Sequence, residues 1–283
     1  MRIQHNIMAM NANRNLTMNN SKLAKNLEKL SSGYRINRAG DDAAGLAISE
    51  KMRAQIAVLD QSQNNANDGI AMLQTAEGAM TEIHDMLNRM ETLATQAANG
   101  TYDATAGQDL DQINKEYNAL IDEIDRIAKT SQFNGVSLMT SANGAAADVK
   151  FQVGYGEGNT LTMELSKLDM QNTALSNALT TDFIKDNATN DKMVELMDAV
   201  KTAVQTVSGY RADLGAMQNR LEHTVNNLGV MQENLQNAES TIRDTNVADE
   251  MMAYTKNNIL IQSAQAMLAQ ANQVPQGVLQ LMQ

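Results

Sequence analysis

From Ile56 to Ala97 the apolar positions recur every three or four residues, with one skipped step at Gln63 and no proline to interrupt them. They include Ile56, Leu59, Ala66, Ile70, Leu73, Ala76, Met80, Ile83, Leu87, Met90, Ala94 and Ala97. This spacing lays a single stripe along one side of an α-helix. At 1.5 Å of rise per residue such a helix is about 60 Å long, more than a compact domain needs. A second stripe runs through Val207, Tyr210, Leu214, Met217, Leu221, Val225, Leu228, Met231, Leu235, Ala238 and Ile242. Two rods so far apart in sequence predict a mainly α fold, an elongated antiparallel helical bundle.

Shorter patterns fill in the rest. Residues 1 to about 32 form an amphipathic arm with Ile3, Ile7, Met10, Leu16, Leu23, Leu27 and Leu30 on one side, interrupted by asparagines. Ser31-Ser-Gly33 and Ala39-Gly-Asp-Asp42 break the period and mark a connector over 34–44. The long helix then runs from about 45 to 98, stopped by Asn99-Gly100. A third helix over about 104–129 carries the heptad Leu110, Ile113, Tyr117, Leu120, Ile124, Ile127. Within about 130–170, Phe151, Val153 and Tyr155 alternate with polar or small residues, as do Leu161, Met163 and Leu165. Gly156-Glu-Gly-Asn159 lies between the two runs, so a β-hairpin is expected. Helical periodicity returns from about Lys192 to Ile242. A last helix starts after Asn246, its N-cap, with Asp249 in the first turn, and is expected to end near Val274-Pro275. The domains predicted are an inner coiled coil of arms, 1–33 with 246–283, and a helical rod over 45–245.

Composition supports helices packed through small and flexible side chains. Aromatics make up 3% of the chain, Trp is absent, Pro occurs once and Met 20 times. The net charge of -11 without basic clusters makes nucleic acid a poor partner. No stretch approaches roughly eighteen uninterrupted apolar residues, so no membrane insertion is expected. Cysteine is absent, and the first ten residues lack the apolar core and cleavage site of a signal peptide. Export, if it occurs, is then expected without a cleaved signal. The arms carry opposite charge: Arg2, Arg14, Lys22, Lys25 and Lys29 against Glu28 at the start, Asp244, Asp249 and Glu250 against Lys256 at the end. The C-terminal arm is apolar around much of its girth through Ile259, Leu260, Ile261, Ala264, Met267, Leu268 and Ala271, and such a helix needs partners on several faces.

Candidate chemistry is sparse. His5, His84 and His223 lie on separate segments with no metal-ligand spacing, and His84 reads as a solvated residue on a helix surface. Asp41-Asp42 suits a helix N-terminus. Gly154-x-Gly-x-Gly158 does not open a helix, so it reads as a turn and not a phosphate loop. No catalytic, cofactor or metal site is expected, and the chain does not read as an enzyme.

Four stretches carry a family resemblance. Leu30-Ser-Ser-Gly-Tyr-Arg-Ile-Asn-Arg-Ala-Gly-Asp-Asp-Ala-Ala-Gly-Leu-Ala-Ile48 resembles the N-terminal signature of bacterial flagellin. Thr130-Ser-Gln-Phe-Asn-Gly135, Asp213-Leu-Gly-Ala-Met-Gln-Asn-Arg-Leu221 and Ser263-Ala-Gln-Ala-Met-Leu-Ala-Gln-Ala-Asn-Gln-Val-Pro-Gln276 are similar to later flagellin segments. The resemblance covers roughly residues 1–140 and 190–283. It implies a structural subunit that self-assembles helically into the flagellar filament for swimming motility, through heterologous contacts that do not close. The arms that would polymerise carry Ile3, Ile7, Leu23, Leu27, Leu30, Ile261, Ala264, Leu268 and Ala271. Only Thr130–Asn190 stands where longer flagellins hold outer domains, which implies a thin, smooth filament. No H-E-x-x-H of the family's zinc-peptidase inserts occurs there.

The resemblance also implies export through the flagellar type III apparatus to the extracellular flagellum, with a chaperone covering the C-terminal arm. Cap and hook-junction proteins would be its partners at the filament ends. Many flagellins are read by vertebrate Toll-like receptor 5 through an Arg, a Leu and a Glu, and the matching positions are Arg89, Leu93 and Glu116. Around the first two this chain reads Asn-Arg-Met-Glu-Thr-Leu93, where well-known agonists read Gln-Arg-Val-Arg-Glu-Leu. Two alternatives share parts of the pattern, a hook-filament junction protein and a secreted receptor-binding effector.

Overall fold

The computed structural model describes residues 6–99, 109–139, 148–156, 158–164 and 190–281. Its helices are α1 (Ile7–Ser32), α2 (Ala43–Ala97), α3 (Asp109–Thr130), α4 (Asn190–Arg243) and α5 (Val247–Leu281). The strands are β1 (Gln132–Phe133), β2 (Val136–Ser137), β3 (Val149–Gln152) and β4 (Thr160–Met163). The chain divides into two compact units, one of residues 1–57 with 233–283 and one of residues 58–232.

In the first unit α1 and α5 run antiparallel. Asn6 Nδ2 donates to the Ala271 carbonyl at 2.7 Å at one end, and Lys29 faces Glu250 at 3.9 Å at the other. Asn6 also caps α1, accepting from the Ala9 N–H. Gly33 closes α1 in the left-handed region at φ 76°, its N–H bonded to the Lys29 carbonyl, a C-terminal cap that a side chain would strain. The two crossings between arms and rod then zip together. Tyr34 pairs with Asp244 in an antiparallel bridge, the Arg35 N–H donates to Arg243 O and the Thr245 N–H to Gly33 O. The Arg243 guanidinium stacks 4.8 Å over the Tyr34 ring and reaches Glu50 at 3.0 Å. Asp42 starts α2 by accepting the Gly45 N–H at 2.9 Å. Asp41 accepts the N–H groups of Arg38 and Asn37, which hold its carboxyl below the ordinary range. Asp42 caps α2 as expected, whereas Asp41 orders the connector before it.

In the second unit α2 and α4 are antiparallel. Glu77 faces Arg211 at 4.0 Å; a Cβ added at Gly69 would meet Leu221, and one at Gly229 would meet Gln63. The core holds Ala76, Met80, Ile83, Leu87 and Met90 of α2 against Val200, Ala203 and Val207 of α4, with Tyr117 and Ile124 of α3. On α4 the buried line returns at each seventh residue, Val207, Leu214, Leu221 and Leu228, while Met231, expected in the stripe, is exposed. On α3 it runs Leu110, Ile113, Tyr117, Ile121, Ile124, Ala128, leaving the expected Leu120 and Ile127 only half-buried. A helix with 3.6 residues per turn drifts off a strict heptad, which moves the stripe by one position.

Two hairpins close the unit. Asn134 and Gly135, at φ 49° and 81°, form the two-residue turn between β1 and β2. Strands β3 and β4 pair antiparallel, Val149 with Met163 and Phe151 with Leu161. The expected alternation stops earlier than the sequence suggests. The loop starts at Val153, whose N–H bonds the Asn159 carbonyl, so Tyr155 leaves the sheet and lies exposed. Leu165 falls outside the described residues. Phe151 settles on Gly69, where a Cβ would stand 3.1 Å from the ring, and Asn65 donates to the Gln152 carbonyl. A glycine lets this hairpin lie against α2.

The last helix corrects the expected end at Val274-Pro275. α5 continues to Leu281. Proline removes one backbone donor, a local cost that does not stop the helix where both flanks keep helical geometry.

Tyr117 is buried, and burial pushes its phenol far above the ordinary value of 10.0. The folded state thus holds this proton more tightly than the unfolded chain. Its contribution to stability is constant below that value and falls as pH rises past it. A melting series from about pH 9 to about pH 11.5 should therefore show a falling Tm only in its upper half. Tyr117→Phe, with no phenol to ionise, should show a shallower decline; an equally steep one would show that other groups drive it.

Candidate assembly and recognition surfaces

The arm pair is built around a seam that mixes leucine and isoleucine with alanine and asparagine. On α1 the seam runs through the half-buried Ala9, Ala12, Leu16, Asn19, Leu23, Asn26 and Leu30, in steps of three and four, with Glu28 and Lys29 half-buried beside its end. On α5 the matching line is Glu250, Tyr254, Asn257, Ile261, Ala264, Leu268 and Ala271, of which Ile261 and Ala271 are buried. With its amide oriented to satisfy both partners, Asn26 donates to Glu250 Oε1 at 2.9 Å and accepts from Asn257 Nδ2 at 3.0 Å. Amides at seam positions fix register at a cost in stability. Every side chain on α1 remains at least partly accessible.

Among the arm residues expected to drive assembly, Leu23, Leu30, Ile261, Ala264, Leu268 and Ala271 line the seam. Ile7 and Leu27 point away from it, 58% and 54% exposed. Ile3 lies outside the described residues. The outward faces also carry Met8, Met10 and Met18 on α1 and Met251, Met252, Ile259 and Met267 on α5. Leu16, Leu23, Leu30, Ile261 and Leu268 share the seam with alanines and amides, while further large apolar groups face solvent, more than the pair of arms can cover by itself. Scanning for apolar residues alone finds Leu16, Leu23 and Leu30 of the α1 seam and misses Asn19 and Asn26 between them. A heptad count that admits asparagine would have found them.

The second candidate surface lies on α2 and α3. The Arg89 guanidinium spans the two helices to Glu116 at 2.7 Å, both side chains about half exposed. Leu93 is one turn further along α2, yet it is 2% exposed and belongs to the hydrophobic core. A role for Leu93 as a direct surface contact does not fit this burial, since α2 turns it toward the core stripe beside Met90 and Ala94. The structure brings Arg89 and Glu116 together and sets Leu93 inside the core. His84 is half-buried, with Nδ1 shielded from solvent and unpaired among the described residues, so it is not the fully solvated histidine expected. No cluster of metal-binding side chains occurs among the described residues.

Comparison with known proteins places these features. Residues 3–144 match the bacterial flagellin N-terminal helical region, and residues 197–282 the bacterial flagellin C-terminal helical region. The chain is 50% identical to a flagellin of Halalkalibacterium halodurans over 99% of both chains, and 48% identical to a flagellin of Bacillus subtilis over the whole of both. A flagellar filament core protein of Treponema maltophilum is 44% identical over 99% of both. Among solved structures, Bacillus cereus flagellin superposes with a TM-score of 0.50 at 38% identity, covering 58% of this chain and 88% of that one. A putative flagellar hook-associated protein from Vibrio parahaemolyticus reaches a TM-score of 0.60 at 14% identity, over 72% of this chain and all of that one. At that identity it shares the fold alone.

Proposed function

Because the chain belongs to the bacterial flagellin family and is a structural subunit of the flagellar filament, we propose that the outward faces of its arm pair carry polymerisation. The observation behind this reading is the row of large apolar side chains left exposed outside the seam of the arm pair. Ile7, Leu27, Ile259 and Met267 are exposed in the single subunit, and burying each against a neighbour is worth about 1.5–3 kcal/mol. The amide seam holds α1 and α5 in register so that the two apolar faces are presented together. The mechanism is packing, and no catalytic step belongs to it. Full-length identity to flagellins favours the filament over the hook junction, whose similar structure shares the fold alone.

The partners follow from the same surface. Before assembly a chaperone on α5 would shield Ile259, Leu260 and Met267, and export would run through the flagellar type III route to the cell exterior. Among the described residues no helix is long and apolar enough to cross a membrane. Cap and hook-junction proteins would offer apolar faces to the arms at the filament ends. For recognition by Toll-like receptor 5, the Arg89–Glu116 pair supplies the accessible polar contacts, and Leu93 supports them from beneath.

The double variant Leu27→Asp, Ile259→Asp tests the assembly reading. Both positions are solvent-exposed in the subunit, so its thermal melting should stay within about 0.5 kcal/mol of the parent. A carboxylate at each buried contact between subunits would stop growth on preformed filament seeds. Seeded growth at the parental rate would contradict the proposal.

A further inference from the structure

All sulfur in this chain is thioether, 20 methionines with no cysteine. The methionines fall into sharply different environments. Met72, Met80, Met90, Met139, Met163 and Met193 lie in the core of residues 58–232, none more than 4% exposed. Met8, Met10 and Met18 on α1 and Met251, Met252 and Met267 on α5 are 48–68% exposed on the arms. An oxidant in water reaches the second set and not the first, because sulfoxidation follows access to the sulfur. With no thiol in the chain to intercept it, the oxidant is consumed at these sulfurs.

We infer that the six arm methionines are a sulfoxidation site through which a peroxide blocks addition of the free subunit to the polymer. The inference rests on the proposal that the outward faces of the arms are buried between subunits. In the reaction the sulfur lone pair attacks one peroxide oxygen, and the S–O bond forms as the O–O bond breaks. The proton on the transferred oxygen passes to the departing one, which leaves as water. Sulfur is oxidised by two electrons and the peroxide reduced by two.

The product replaces a flexible apolar side chain with a strongly dipolar one. Buried between subunits, a sulfoxide oxygen needs a hydrogen-bond donor that the thioether did not, and it must shed its water to enter, so the subunit is disfavoured at the growing end. The same burial shields the sulfurs of subunits already incorporated. The modification therefore acts on the subunit before assembly, where sulfoxide reductases and a thiol reductant can reverse it.

The test treats the full chain, as free subunits and as filaments, with hydrogen peroxide, then maps sulfoxides by peptide mass spectrometry and measures seeded growth. In free subunits the six arm methionines should oxidise at least about tenfold faster than Met80 and Met90, and in filaments they should be protected. Met231, 47% exposed on α4, serves as the reference for an accessible methionine outside the arms. Seeded growth of oxidised subunits should fall by at least about tenfold, and reduction by methionine sulfoxide reductases should restore it. The variant with all six arm methionines changed to Leu, which keeps Met231, should grow equally well with and without peroxide.

Growth of oxidised parental subunits at the untreated rate would overturn the inference, as would an equal loss in the six-Leu variant. Should that variant not assemble at all, the reductase experiment decides: recovery upholds the inference and persistent loss overturns it. Failure of the underlying assembly proposal shows separately, as parental-rate growth by the Leu27→Asp, Ile259→Asp variant without any oxidant.

Discussion

Removal of residues 1–33 and 246–283 should abolish filament growth while leaving a soluble, helical core. The buried cluster of Met80, Ile83, Leu87, Met90, Val200, Val207, Leu214 and Tyr117 lies wholly within residues 58–232, and none of it is contributed by the arms. The deletion also spares the Tyr34–Asp244 bridge and the Arg243–Glu50 pair at the roots of α2 and α4. What it takes away are the exposed apolar faces that have no use in a lone subunit. Circular dichroism should report retained helix and cooperative melting, and light scattering should report no growth on filament seeds. Seeded growth by this truncated chain would place the polymer contacts on the rod and contradict the account.

Leu93→Ala should lower the unfolding free energy by about 2–5 kcal/mol, the range for emptying a close-packed leucine site. The side chain is 2% exposed and packs in the same core as Met90 and Ala94. Arg89→Ala, by contrast, removes one half of an exposed ion pair and should cost no more than about 1 kcal/mol. Chemical denaturation of the two variants separates these values cleanly. A loss below about 1 kcal/mol for Leu93→Ala would show that the site tolerates an empty volume the packing does not predict. The contrast bears on receptor recognition as well. A weakened response from Leu93→Ala would follow from a loosened α2, whereas Arg89 and Glu116 variants probe the surface itself.

The long helices were legible because their stripes persist over many turns, too long for any competing pattern to mimic. Ile56–Ala97 and Val207–Ile242 lie within single helices, and stripe positions such as Leu73, Met80, Leu87, Met90, Val207, Leu214 and Leu221 lie in the core. Residues were misplaced where geometry shifts by a fraction of a turn. Ile121 and Ala128 replace Leu120 and Ile127 because a straight helix keeps its own period. The β1–β2 hairpin escaped notice although Asn134-Gly135 is the strongest short turn signal, since its two-residue strands are too short to show alternation. Pro275 marked a helix end on local grounds, and α5 runs past it.

The assembly surface was half legible. Ile261, Ala264, Leu268 and Ala271, expected as polymerisation positions, lie in the seam of their own arm pair, and the apolar scan merged two faces of α1 into one. Leu23 and Leu30 belong to the seam with α5, and Ile7 and Leu27 to the outside. Hydrophobicity records that a side chain seeks a partner, and it does not say which partner. The paired ion across α2 and α3 was legible only as two separate letters, Arg89 and Glu116, because their distance of 2.7 Å arises from the packing of the two helices and not from their spacing in sequence. Burial of Leu93 was implicit in its place beside Ala94 on the stripe, but a motif match attends to letters and not to the face they occupy.

The central claim is that side chains exposed on the arms of one subunit are buried by other copies in the polymer. A cryo-EM map of the assembled filament at side-chain resolution tests this most directly. The account predicts Ile7, Leu27, Ile259 and Met267 enclosed by neighbouring subunits, with Leu23, Ile261 and Ala271 still in the seam of their own arm pair. A map in which those four outward side chains remain in solvent, and subunits touch only through the rod, would contradict it.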